Sequence, residues 1–178
     1  MKIGLEVLLE SPGMADRWGK FLLLANQASV LRQRYSWEWI YDKFPKQLSG
    51  FLAPQHGFHA TLQDNMIESE DSVEPYSGLP IYSLYSRTRE PTPPMLKGID
   101  TIVIDIQIVG CRVYTFKYTV AACLRAAKKH GLSVVVLDRP NPLGRKYEGR
   151  ILENDCKSFV GEFEIPMRHG LSVGAGSA

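Results

Sequence analysis

Three short apolar runs constrain the fold of this chain most: Phe21 to Ala25, Thr101 to Ile106 and Ser133 to Leu137. None alternates apolar with polar residues along its length. Strands built from them bury both faces, which happens when helices cover both sides of a parallel sheet. The stretches between the runs supply those helices. Trp37, Ile40, Tyr41 and Phe44 recur at i, i+3, i+4 and i+7, and Pro45 ends the pattern. Tyr114 to His130 is the clearest helix, with Val120, Leu124 and Ala127 on one face, basic residues in its last turn and Gly131 to close it. Buried strands alternating with amphipathic helices predict an α/β fold with a mainly parallel sheet and right-handed crossovers.

The remaining segments are weaker signals. Gly4 to Leu9 reads as a short helix closed by Ser11-Pro12-Gly13. Leu48 to Ala53, weakened by Gly50, and Leu79 to Tyr85 read as further strands, and a last strand or turn is expected near Phe163 to Pro166. Thr92 followed by Pro93 looks like the N-cap and first turn of a short helix. Phe58 to Gly78 is polar, acidic and without period, so it reads as a long loop.

Composition narrows the function classes. A chain of 178 residues that is 44% hydrophobic has enough apolar material for one compact domain. Its net charge of +2 makes no electrostatic case for a nucleic acid or a membrane surface as partner. Cys111, Cys123 and Cys156 form neither a disulfide framework nor a zinc-type spacing, so reduced thiols and no metal are expected. No glycine-rich phosphate loop follows a strand, so no nucleotide cofactor is expected. Glu6 and Glu10 interrupt the N-terminal apolar stretch, which reads as cytoplasmic; a leader removed upstream would make the protein periplasmic or exported.

In open parallel sheets the ligand lies beyond the carboxyl ends of the strands. That rule selects Asn26 and Gln27 after the first run and Gln55-His56-Gly57 after the second strand. It also selects Asp105 and Gln107, followed by Arg112, Tyr114 and Thr115, and then Asp138, Arg139 and Asn141. His169, between Arg168 and Gly170, serves structure or function equally well. Amides and carboxylates bind sugar hydroxyls in both directions, and arginine forks onto a carboxylate, so the set suits a polyhydroxylated or acidic ligand. Structural uses are open too: Asp105 can cap a helix or pair with Arg112, and Asp138-Arg139 before Pro140 can be a simple turn. Within the acidic loop, Asp64 and Glu68 are the carboxylates nearest the Gln55-His56-Gly57 turn. His59 and His130 read as solvent-exposed.

Several strings occur in a telling order: Leu24-Ala25-Asn26-Gln27-Ala28-Ser29-Val30, Ala53-Pro54-Gln55-His56-Gly57-Phe58 and Gln63-Asp64-Asn65-Met66-Ile67-Glu68. They are followed by Asp105-Ile106-Gln107, Gly110-Cys111-Arg112-Val113-Tyr114-Thr115, Leu137-Asp138-Arg139-Pro140-Asn141-Pro142 and Pro166-Met167-Arg168-His169-Gly170. Together, from about Gly4 to Gly174, they resemble the NamZ-type exo-β-N-acetylmuramidases. The resemblance implies a Rossmann-like three-layer N-terminal domain over residues 1–174, a linker-like tail at 175–178 and an absent second domain. It implies hydrolytic release of N-acetylmuramic acid from the non-reducing end of peptidoglycan fragments, without metal or cofactor. Under it, Asp64 or Glu68 is the acid/base. Asp105 and Gln107 hold ring hydroxyls or the N-acetyl group, Arg112 or Arg139 meets the lactyl carboxylate, and His56 and Tyr114 orient the sugar.

The chain departs from the family pattern in three places. Gln55 stands where many members carry Glu, Ile108 where Asp is usual, and Phe58-His59-Ala60-Thr61 where small residues are usual. An amide cannot shuttle a proton, so Gln55 cannot be a general acid. These losses, with the absent second domain, set up the alternative expectation of a relative that at most binds amino sugars. An uncovered face would also favour self-association.

Overall fold

The computed structural model describes residues 2–55, 57–58, 70–158 and 160–176. Helix α1 (Gly4–Glu10) leads through a short 3-10 turn (Pro12–Arg17) into strand β1 (Phe21–Ala25). A small hairpin, β2 (Val30–Leu31) and β3 (Arg34–Tyr35), precedes helix α2 (Ser36–Lys43) and strand β4 (Leu48–Ala53). Then come β5 (Ser72–Val73), β6 (Pro80–Ser83) and β7 (Thr101–Asp105). Helix α3 (Phe116–His130), strand β8 (Ser133–Val136), an antiparallel arm of β9 (Glu148–Ile151) and β10 (Pro166–Arg168), and the short helix α4 (Val173–Gly176) complete the chain.

Six strands form one sheet in the order β5-β6-β4-β1-β7-β8. Every neighbouring pair is parallel except β5 with β6. The sheet therefore grows outward from β1 in both directions, the Rossmann-like order, and the direction of growth reverses between β1 and β7. At that switch point the connections after the two strands leave in opposite directions, and in open α/β sheets the crevice this leaves at the carboxyl ends is where ligands bind.

The two-sided burial inferred from the apolar runs is what builds the layers. Phe21, Leu23 and Ala25 point into one core with Leu5 and Leu8 of α1 and Ile40 of α2. Leu22 and Leu24 point into the other with Ile102, Ile104 and the Phe116, Val120, Cys123 and Ala127 face of α3. Each fully buried Leu or Phe contributes roughly 1.5–3 kcal/mol. β8 is an edge strand, so its valines are only half-buried. Gly131 closes α3 in the left-handed conformation at φ 68°, where a side chain would be strained.

Some expectations need correction. The segment after Thr92 forms successive hydrogen-bonded turns rather than a helix, with the Leu96 N–H donating to the Thr92 and Pro93 carbonyls. The late strand falls at Pro166–Arg168, just beyond Phe163–Pro166. Its partner β9 and the β2–β3 hairpin were not expected. The long loop contains β5, and residues 59–69 of it lie outside the described residues.

Candidate functional site at the sheet switch point

The register places Ala25 of β1 beside Asp105 of β7, so the residues that follow these strands converge. The Asn26 side chain bridges the gap. Its Nδ2 donates to the Gln107 carbonyl at 2.9 Å, and its Oδ1 accepts from the Gln107 N–H at 3.3 Å. Ser29 lies beneath, fully buried, with its hydroxyl against the Asn26 amide oxygen and the Asp105 carbonyl. The Asn26 N–H donates back to Ser29 Oγ at 3.0 Å, closing a local turn.

Asp105 and Arg139 form the floor. The Arg139 Nε donates to Oδ1 of Asp105 and Nη2 to Oδ2 at 3.0 Å, a two-pronged pair buried on both sides. The Arg139 Nη1 donates to the Val30 carbonyl at 3.1 Å, so the same side chain also ties down the loop after β1. The Gln107 amide nitrogen donates to the Ile108 and Pro140 carbonyls at 2.7 and 3.2 Å. Asn26, Asp105, Gln107 and Arg139 thus form one connected network.

Gln27 differs from these. Its Oε1 is buried and has no hydrogen-bond partner among the described residues. A buried amide oxygen without a donor costs free energy, on the order of 1–3 kcal/mol, which a ligand N–H or O–H would recover.

The rim is set by the start of α3. Thr115 stands at the N-cap but does not cap with its side chain; its hydroxyl donates to Gln55 Oε1 at 2.9 Å. With the amide oxygen engaged in this way, the Gln55 nitrogen is left as a donor. Tyr114 packs edge-on against Phe116, with ring centroids 4.9 Å apart. Burial pushes its phenol above the ordinary value, so it remains a donor at neutral pH.

The other candidates tie the C-terminal segment to the domain. Asp138 accepts from the Ser172 hydroxyl at 2.7 Å and the Gly174 N–H at 2.8 Å. The Asn141 amide nitrogen donates to the His169 and Leu171 carbonyls at 2.7 and 3.2 Å. The Arg112 Nη1 donates to the Arg150 and Ile165 carbonyls, both at 2.8 Å, and so anchors the β9–β10 arm. His169 lines a separate cavity along α3. His56, Asp64 and Glu68 lie outside the described residues.

Two residues were missed. Ser29 is a small polar residue that sequence alone cannot distinguish from a turn serine. Lys117 did leave a signal: a cation in the first turn of a long helix opposes the helix dipole.

Comparison with known proteins gives a consistent picture. Residues 21–177 match the model of a family described as exo-beta-N-acetylmuramidase NamZ, N-terminal. A curated relative, the peptidoglycan beta-N-acetylmuramidase NamZ of Bacillus subtilis strain 168, is 38% identical over 176 residues. That alignment covers 98% of this chain and 42% of the relative, so the chain spans about two fifths of the relative's length. A crystal structure of a DUF1343 family protein from Bacteroides fragilis superposes with a TM-score of 0.86 at 35% identity, covering 97% of this chain and 44% of that one. A second DUF1343 family protein from the same organism superposes at 0.81 with 26% identity and the same coverage.

Proposed function

The chain belongs to the exo-β-N-acetylmuramidase NamZ N-terminal family, and from that premise we propose that its switch-point crevice holds the sugar in a glycoside hydrolase. The reaction proposed is release of N-acetylmuramic acid from the non-reducing end of peptidoglycan fragments. The observation that carries this reading is the unsatisfied, buried Gln27 oxygen beside a fixed amide and carboxylate network. An acetamido N–H or a sugar hydroxyl supplies the missing donor. The Gln55 amide nitrogen and the Tyr114 hydroxyl add donors from the rim. Arg139 is committed to Asp105 and the Val30 carbonyl, so Arg112, with only Nη1 bonded among the described residues, is the arginine with nitrogens left for the lactyl carboxylate.

Two of the candidate carboxylates are already engaged. Asp105 is held by Arg139, and Asp138 caps the turn into α4. Gln55 carries no exchangeable acidic proton. We assign the proton transfer to Asp64 or Glu68, the carboxylates of the acidic loop nearest the Gln55-His56-Gly57 turn in sequence. One carboxyl group suffices when the substrate's own acetamido oxygen attacks the anomeric carbon. The acid protonates the glycosidic oxygen as the C–O bond breaks. The resulting carboxylate then takes a proton from the water that opens the cyclic intermediate. Asn26, Asp105 and Arg139 keep the crevice in shape while this happens.

The test is release of chromophore from a β-N-acetylmuramic acid glycoside by the folded chain, by Asp64→Asn and by Glu68→Gln. Turnover abolished in one variant names the acid. Absence of turnover in all three, with binding of the sugar retained, supports the binding-only reading that Gln55 favours.

A further inference from the structure

A second cavity, of about 360 Å³, lies along the flank of α3. Its size falls in the range of small-molecule sites. Ile108, Leu124, Phe163 and Ile165 give it apolar walls, and Lys117 and His169 supply its polar end. Other polar groups at its edge are already engaged. Arg125 pairs with Glu162 at 2.7 Å, and the Ser172 hydroxyl donates to Asp138.

Lys117 and His169 are different. The Lys117 ammonium donates to the Cys111 and Tyr114 carbonyls at 2.7 and 2.9 Å, which leaves one N–H. It forms no ion pair among the described residues. Burial, with Arg112 nearby, lowers its pKa to about 8, and the N-terminal end of α3 also disfavours a cation there. His169 is 3% exposed, and among the described residues its ring nitrogens make no well-formed hydrogen bond, the Leu171 backbone being the polar group that the ring approaches. Burial and the Lys117 charge lower its pKa, against a weaker pull from the Leu171 backbone. Its main chain is fixed on both sides, by its N–H to the Gly110 carbonyl at 2.8 Å and its carbonyl to Asn141. The ring is thus held in place at the cavity wall.

A metal ion does not suit an ammonium neighbour. A sugar does not suit walls without hydrogen-bonding groups. A dianion exceeds the single full charge on offer. We propose that this cavity binds a small monocarboxylate with an apolar body, its carboxylate meeting Lys117 and His169 and its hydrocarbon lying between Ile108, Leu124, Phe163 and Ile165. The site is separate from the switch-point crevice and does not rest on the glycosidase reading.

The probe is octanoate, titrated into the full chain at pH 7 by calorimetry and by NMR of the histidine rings. Octanol and inorganic phosphate serve as comparisons. Saturable octanoate binding is expected, with movement of the His169 ring signals and affinity at least tenfold above octanol or phosphate. Lys117→Met should weaken octanoate at least tenfold while leaving octanol unchanged. Ala121→Phe, which fills the cavity from a half-exposed helix position, should abolish both; thermal unfolding verifies that each variant is folded. Equal affinity for octanoate and octanol, binding indifferent to both variants, tighter binding of phosphate or no octanoate binding would each overturn the proposal.

Discussion

Arg139 grips Asp105 with two nitrogens at the point where the sheet reverses its direction of growth, and the two side chains are 5% and 0% exposed. The pair joins β7, the turn after β8 and, through the Val30 carbonyl, the loop after β1. Removing one member of a buried pair leaves the other charge uncompensated, at a cost of about 3–5 kcal/mol. Asp105→Asn and Arg139→Met should each lower stability to urea by that order. The double variant Asp105→Asn/Arg139→Met should lose less than the sum, because neither charge is then stranded. Additive losses would mean that the two residues act independently.

Gly110 sits where the chain after β7 passes under the C-terminal segment. A Cβ there would run into the Asn141 side chain and the His169 carbonyl, which are bonded to each other. Gly110→Ala should therefore cost about 1–3 kcal/mol through overpacking. Gly13→Ala is the control, since its Cβ meets only an Asp16 oxygen at 3.7 Å. That change should stay within about 0.5 kcal/mol of wild type.

Lys117 gives the protein a pH signature. Its folded pKa of about 8 lies below the ordinary 10.5, so between those values the unfolded chain binds more protons. Stability must rise with pH across that window as the buried ammonium loses its charge. Below about pH 8 the penalty is fully present. The difference in unfolding free energy between wild type and Lys117→Met, followed by urea titration from pH 7 to 11, should shift toward wild type across the window. A pH-independent difference would place the ammonium in an ordinary solvated setting.

His169 should act in the same direction at lower pH. Its pKa is lowered below the ordinary 6.5, so stability from this residue is complete above 6.5 and declines as the pH falls below it. NMR titration of the histidine rings should show His169 titrating below the ordinary histidine range. The assignment should pass to no residue other than His169, as judged by its loss in His169→Gln.

The central strands β1 and β7 were legible because their apolar runs have to hide both faces; Leu22 and Leu23 enter opposite cores. The β9–β10 arm was not, because Glu148–Ile151 is exposed throughout and carries no period. The β2–β3 hairpin turns at Arg32 and Gln33, with φ of 51° and 63°, and offers none of the Gly or Asn that marks such a turn. Asp105 and Arg139 were both singled out from strand ends, but their pairing depends on β8 lying next to β7, which residue order alone does not state. The same holds for Thr115 and Gln55, sixty positions apart and joined by one hydrogen bond.

The most direct test of the switch-point crevice is titration of the chain with N-acetylmuramic acid, followed by the side-chain amide signals of Gln27 and Gln55. The account predicts saturable shifts of both signals, and loss of binding in Gln27→Leu, which remains folded. Shifts confined to other residues, or unchanged affinity in Gln27→Leu, would contradict it.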